Sequence, residues 1–148
     1  MLSWDHPGVN RPAVTDRART AAQRTGDAAE ALVERRLIEL GWTVLARNIH
    51  VGRSELDLVA ADPGPPAELV IVEVRWRARR DFGLPEETFD HRKRGYLRRA
   101  ISRLLEEGLP GGTGMPRLPV RIDLIVVEPG ASPAAEPRIR HHRNALAG

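Results

Sequence analysis

The stretch SELDLVAADPGPPAELVIVEVRWR, residues 54–77, constrains the fold more than any other part of the chain. Two runs of strand-forming residues flank the segment DPGPP, whose prolines cannot continue a strand and suit a tight connection. The first run alternates acidic and apolar side chains, and the second is apolar on both faces at its centre, which is typical of a buried strand. The stretch therefore predicts a β-hairpin whose second strand lies inside a sheet.

The patterns on either side of the hairpin predict two helices and two more strands. Thr15 and Asp16 can cap a helix that ends near Leu40 and carries apolar residues at three- and four-residue spacing. The segment WTVLARN predicts a strand, residues 85–107 a second helix, and VRIDLIVVE a final strand. This order of elements predicts an α/β sandwich around a mixed sheet.

A chain of 148 residues suits one domain. We expect a flexible N-terminal arm at residues 1–14, the folded domain at 15–128 and a disordered polar tail at 129–148, because neither end has a core-forming pattern. No apolar run is long enough to span a membrane, no secretory signal is evident, and cysteine is absent. These features predict a cytoplasmic protein without a membrane partner.

Acidic side chains are placed at regular spacing in the hairpin. Side chains at i and i+2 of a strand share a face, so Glu55 lies with Asp57 and Glu73 lies with Arg75. Buried carboxylates are costly unless a cation, a metal or water offsets their charge, and hard cations such as Mg²⁺ prefer carboxylate oxygens. The pattern allows a metal site. The alternative is a solvent-facing side of the hairpin, with Arg75 in a salt bridge that has no chemical role.

Basic residues are concentrated between positions 75 and 103, where ten stand against four acidic residues. An excess of this size can neutralise several phosphates and favours a nucleic-acid partner. The residues predicted to contact that partner are Arg77, Arg79, Arg80, Arg92, Arg94, Arg98 and Arg99. The alternative is a solvated helix face in a chain that uses arginine at every basic position except Lys93.

Several motifs in order extend these observations: GDAAEALVERRLIELGWTVLARN, SELDLV, VIVEVRWR, FGLPEETFDHRKRGYLRRA and RIDLIVV. Through them, over residues 26–127, the chain resembles the YraN family of bacterial proteins, which are regarded as endonucleases. That family is similar to archaeal Holliday-junction resolvases and carries the PD-(D/E)xK nuclease fold. The resemblance implies a restriction-endonuclease-like sandwich, hydrolysis of phosphodiesters in DNA that includes branched or junction DNA, and a homodimer that pairs two active sites.

The resemblance also implies a catalytic set and a metal. By position, the motif residues fall on Glu30, Glu55, Asp57, Glu73, Arg75 and Lys93, with Asp123 in the final strand. Of these, Glu30, Asp57 and Glu73 are implied to hold Mg²⁺ or Mn²⁺. Such a cation activates water and stabilises negative charge on a phosphodiester in the transition state.

Three residues depart from the family pattern. Ala29 and Ser54 replace glycines, and Arg75 replaces the lysine of a Glu-Val-Lys motif. A guanidinium stays protonated, so Arg75 cannot act as a general base, although it can stabilise a phosphate electrostatically. The alternative is a DNA-binding module without catalysis. A further hypothesis is that Lys93 reaches the carboxylates from the second helix and supplies the missing ammonium. The alternative is that Lys93 is an ordinary surface lysine.

Overall fold

The computed structural model describes residues 20–77, 91–112 and 114–145, which form two helices and five strands. In chain order these are α1 (Ala21–Glu39), β1 (Thr43–Val51), β2 (Ser54–Asp62), β3 (Glu68–Trp76), α2 (His91–Glu107), β4 (Val120–Glu128) and β5 (Arg138–His142). The strands form one mixed sheet with a helix on each face. The predicted α/β sandwich with a mixed central sheet flanked by helices is confirmed.

The sheet has the strand order β1-β2-β3-β4-β5. β1, β2 and β3 follow one another as antiparallel neighbours, β3 and β4 are parallel, and β5 returns antiparallel to β4. The parallel pair requires a crossover, and α2 lies in it. The predicted hairpin is present, with β2 and β3 joined by the proline-rich connection.

The two faces of the sheet bury separate apolar clusters. On one face, Val33 and Leu37 of α1 pack with Val72 of β3. On the other face, Leu97 of α2 packs with Ile71 of β3. Because alternate side chains of β3 enter opposite clusters, the strand is apolar on both sides at its centre, as its sequence indicates.

The ladder between β2 and β3 ends before it reaches Asp57 and Glu73. Paired positions run from Asp62 opposite Glu68 to Leu58 opposite Val72. Beyond Leu58, the Asp57 carboxylate rather than a β2 carbonyl accepts the backbone N–H of Val74, at 2.8 Å. The two strands therefore leave the regular ladder at the end of the hairpin where the carboxylates lie.

Two sequence predictions at the ends of the domain are wrong. Helix α1 is capped by Thr20, in a capping box with Gln23, and not by Thr15 or Asp16, which lie outside the described residues together with the predicted arm at 1–14. The tail predicted as disordered contains β5. Its sequence RIRHH has one aliphatic residue and no apolar periodicity, so the strand depends on backbone pairing with β4 and on ion pairs.

Within the described part of the chain, no helix is long and apolar enough to cross a membrane.

Candidate active site

The open end of the hairpin and the first turns of α2 enclose a cavity of about 460 Å³. We call it the carboxylate cavity. Its lining residues are Arg53, Ser54, Glu55, Asp57, Glu73, Arg75, Lys93, Tyr96 and Leu97. Five of the six predicted catalytic residues therefore line one space, although they come from β2, β3 and α2. Asp57 and Glu73 lie on the same side of the sheet, as a shared site requires.

Glu73 is the centre of the ionic contacts in this cavity. Its side chain is buried, and its Oε1 atom lies 3.0 Å from Arg75 Nη1 and 3.0 Å from Lys93 Nζ. Arg75 is two residues further along β3, whereas Lys93 comes from the first turn of α2. Lys93 therefore does approach the carboxylates, and the only lysine of the chain stands beside the arginine that replaces the motif lysine.

Asp57 is the least compensated carboxylate of the cavity. It is 9% exposed, and the Val74 N–H donates a hydrogen bond to its Oδ2. Burial and the charge of Glu73 raise the pKa of Asp57 to about 7, with a smaller contribution from Glu30 in the same direction. The Val74 hydrogen bond and Arg75 act against this rise but do not cancel it. Such a carboxyl favours either a proton or an additional cation.

Glu55 and Glu30 occupy more peripheral positions. Glu55 lines the carboxylate cavity, but its side chain is half exposed and lies 3.4 Å from His50 Nε2. Glu30 lines a separate cavity of about 270 Å³ between α1 and β1. Burial raises the pKa of Glu30, a hydrogen bond with Asn48 opposes the rise, and the charges of neighbouring acids, Glu73 among them, add to it. Glu30 thus contributes charge to the site from outside the carboxylate cavity.

Asp57 and Glu73 are the pair best placed to hold a hard divalent cation. Among the residues that the structure describes, no group of three or more acidic or histidine side chains is arranged to hold a metal ion. Mg²⁺ needs fewer protein ligands than that, because it dehydrates reluctantly and is commonly held by one or two carboxylates with several waters. The donor set therefore fits a cation that keeps most of its water shell.

A second cavity, of about 340 Å³, adjoins the first, and sequence reasoning did not assign it. We call it the arginine cavity. It is lined by Val51, Gly52, Arg53, Ser54, Tyr96, Arg99, Ala100 and Arg103. Positions 96, 99, 100 and 103 are spaced by three and four residues, which places them on one stripe of α2. This spacing is the signal that would have found the stripe, whereas Arg53 belongs to the β1–β2 turn and required the fold.

The arginines predicted to bind nucleic acid have different positions in the structure. Arg77 is buried beside Glu128, with 3.8 Å between Nη1 and Oε2, so its guanidinium is not exposed for a partner, and its contact with DNA stays a prediction. Arg79 and Arg80 lie outside the described residues. On α2, Arg92, Arg98 and Arg99 are exposed and Arg94 is half-buried, and of these Arg99 lines the arginine cavity.

A second charged cluster lies where β3 and β4 begin, away from both cavities. We call it the Arg121 cluster, and it consists of Asp62, Glu68, Arg121, Asp123 and His141. The carboxylate of Asp123 is fully buried and contacts Arg121 at 2.9 Å, His141 at 2.7 Å and the Asn144 N–H at 2.9 Å. Burial acts to raise the pKa of Asp123, but these donors outweigh it and hold the pKa below its ordinary value.

Comparison with known proteins shows which protein family the chain is similar to. The model of the uncharacterised protein family UPF0102 matches residues 29–127. The chain is 35% identical to a UPF0102 protein of Symbiobacterium thermophilum over 84% of this chain and 98% of that protein. It is 39% identical to one of Bordetella petrii, over 80% and 71%, and 35% identical to one of Moorella thermoacetica, over 71% and 81%. The matched region includes both cavities.

Proposed function

The chain belongs to the uncharacterised protein family UPF0102, and from its candidate active site we propose that it is a divalent-metal-dependent nuclease that hydrolyses phosphodiester bonds in DNA. The observation that carries the proposal is the composition of the carboxylate cavity. Buried Asp57 and Glu73 face the same open space as Arg75 and Lys93. Carboxylates for a cation and side-chain cations for a phosphate are the groups that metal-assisted hydrolysis of a phosphodiester requires.

The two carboxylates are the proposed ligands. Asp57 and Glu73 would hold Mg²⁺ or Mn²⁺, which would supply Lewis-acid stabilisation of negative charge and lower the pKa of water. Glu30, expected as a third ligand, acts from the neighbouring cavity by adding negative charge that favours cation uptake. Glu55 lies at the exposed rim of the cavity, where its charge would favour a cation at Asp57 and Glu73.

The two cations have separate roles in the proposal. Arg75 is always protonated and presents a planar fork, which suits bonding to the non-bridging oxygens of a phosphate. Lys93 is a compact ammonium whose Nζ is fixed 3.0 Å from Glu73, which suits orientation of a water beside the carboxylate. The position of Lys93 supports an enzyme over a DNA-binding module without catalysis, because surface charge for binding does not require an ammonium inside a carboxylate cavity.

Cleavage of DNA by the purified full-length chain tests the proposal. Supercoiled plasmid and a four-way junction are incubated with Mg²⁺ or Mn²⁺, and then with EDTA. We expect cleavage that needs the metal and that falls by about 100-fold or more in Asp57→Asn, because one of two ligands is lost. Glu106→Gln is the matched control, since Glu106 is an exposed acid on the solvent side of α2.

The alternatives give different results. A protein that binds DNA with a salt-dependent affinity but never cuts it is the non-catalytic module. Cleavage that persists in Asp57→Asn at the level of Glu106→Gln would mean a contaminating nuclease, and the proposal would be wrong.

A further inference from the structure

The arginine cavity is cationic and lies against the carboxylate cavity. Of the residues that the structure describes, Arg53, Arg99 and Arg103 line it and no acidic residue does. Arg53, Ser54 and Tyr96 line both cavities, so the two spaces share a wall. The Ser54 hydroxyl donates to the Tyr96 carbonyl at 3.4 Å, which joins the β1–β2 turn to α2 along this wall. A polyanion that places one phosphate at the carboxylates therefore has a cationic path for its next unit.

Tyr96 stands at the boundary between the two cavities. The residue is 41% exposed, and it is one of the few large apolar residues on α2 that do not enter the core. The Arg99 guanidinium lies over its ring, 5.0 Å from the centroid. An arginine stacked on a tyrosine extends the flat surface available to a third ring, and exposed aromatic rings beside arginines are the platforms on which unpaired bases stack.

A base in continuous duplex cannot use this platform. Its two faces are covered by its neighbours in the stack, and only its edges are accessible in the grooves. A base that is unpaired offers a free face to an aromatic or guanidinium surface. The combination of a ring, three arginines and a cavity of about 340 Å³ fits one splayed nucleotide.

We propose that the arginine cavity binds an unpaired nucleotide of a DNA strand whose neighbouring phosphate lies in the carboxylate cavity. The inference rests on the proposed nuclease function and narrows its substrate class to DNA that carries a single-stranded segment at the site of cleavage. Tyr96 is the stacking residue, and Arg53, Arg99 and Arg103 are phosphate contacts.

Binding in the absence of metal tests the assignment. Fluorescence anisotropy in EDTA measures affinity for a labelled single-stranded oligonucleotide and for a blunt duplex that contains the same sequence. We expect Tyr96→Leu to weaken single-strand binding by about tenfold or more and to change duplex binding by less than about twofold. Tyr96→Phe keeps the ring and is expected to bind like the unaltered chain. Arg103→Gln is expected to reduce the slope of log affinity against log salt by about 0.7 on the single strand.

The controls separate this inference from the proposed function. Leu105→Ala removes another exposed apolar side chain of α2 outside both cavities and should leave both affinities unchanged. Equal loss on single strand and duplex in Tyr96→Leu, or no loss on either, overturns the stacking site even if the chain cleaves DNA. Selective loss on the single strand supports the site even if no cleavage is seen, in which case only the nuclease proposal fails.

Discussion

Asp57 and Asp123 are both buried aspartates of the same sheet, yet their surroundings change their acidity in opposite directions. Asp123 is held by Arg121, His141 and a backbone amide, and its pKa lies below the ordinary value. Burial and the charge of Glu73 raise the pKa of Asp57 to about 7, and the Val74 amide and Arg75 oppose this rise without cancelling it. The Arg121 cluster surrounds Asp123 with direct donors, whereas in the carboxylate cavity Arg75 and Lys93 both contact Glu73 and the Val74 amide donates to Asp57. A cation bound beside Asp57 would therefore stabilise its ionised form.

The largest effect we predict follows from removing the guanidinium of the Arg121 cluster. Arg121→Met leaves the buried carboxylates of Asp62 and Asp123 without their guanidinium partner, at contacts that now measure 3.0 Å and 2.9 Å. Removing one partner of a buried ion pair costs about 3–5 kcal/mol. Urea denaturation followed by circular dichroism should show this loss in the free energy of unfolding.

An exposed ion pair provides the control for that substitution. Arg103 and Glu107 are one turn apart on α2, and both side chains are more than half exposed. Arg103→Met should change the free energy of unfolding by no more than about 0.5 kcal/mol. If Arg121→Met is as mild as Arg103→Met, the Arg121 cluster does not hold the fold together, and its contrast with the carboxylate cavity is lost.

Replacement of aspartate by asparagine should change the free energy of unfolding in opposite directions in the Arg121 cluster and in the carboxylate cavity. In EDTA at pH 8, Asp123→Asn removes a carboxylate that its donors stabilise, and we expect a loss of about 2 kcal/mol in the free energy of unfolding. Asp57→Asn removes a carboxylate whose ionisation the fold disfavours while keeping an oxygen to accept from Val74 N–H, and we expect a gain on the order of 2 kcal/mol. Thermal and urea unfolding of the two variants measure the pair.

The pH dependence of these differences follows from the direction of each pKa shift. The folded chain keeps the Asp57 proton up to about pH 7, whereas the unfolded chain loses it near pH 4. The stability gain of Asp57→Asn should therefore be absent near pH 4, rise between these values and level off above pH 7. For Asp123 the folded pKa is lowered, so the loss in Asp123→Asn should be full at neutral pH and shrink as the pH falls through the folded pKa. Parallel pH profiles for the two variants would contradict the comparison.

The sequence predicted the sandwich and the hairpin well because both depend on local patterns. Alternation in β2, the apolar centre of β3 and the proline-rich connection each act within a few residues. The contact between Glu73 and Lys93 depends on how α2 packs on the sheet, so the sequence allowed it only as a hypothesis. Pairing of β5 was missed because edge strands gain stability from a neighbour's backbone, which leaves no hydrophobic period in the sequence RIRHH.

The sequence could not show which side chains the fold buries or brings together at the sites. Arg77 continues the alternation of β3, and no pattern distinguishes an arginine facing solvent from one that folds against Glu128. Arg53 is far in sequence from α2, so its place in the arginine cavity requires the β1–β2 turn to reach that helix. Asp123 matched a motif of the resembled family, but its donors identify it as part of a closed structural cluster.

Apart from the control Arg103→Met, the smallest effect we predict tests directly whether a bound cation stabilises the carboxylate cavity. A cation held by Asp57 and Glu73, as proposed, would bind the folded chain and not the unfolded one, so it would add stability that depends on its concentration. At free Mg²⁺ about five times its dissociation constant, the gain is about 1 kcal/mol. Thermal unfolding with increasing Mg²⁺ should show this gain in the unaltered chain and in Glu106→Gln, and no gain in Asp57→Asn. Because Asp57→Asn no longer carries a buried charge beside Glu73, it is expected to be more stable than the unaltered chain in EDTA and to lose part of that advantage as Mg²⁺ is added. An equal response of all three proteins would place Mg²⁺ elsewhere and leave the carboxylate cavity without its proposed ligand.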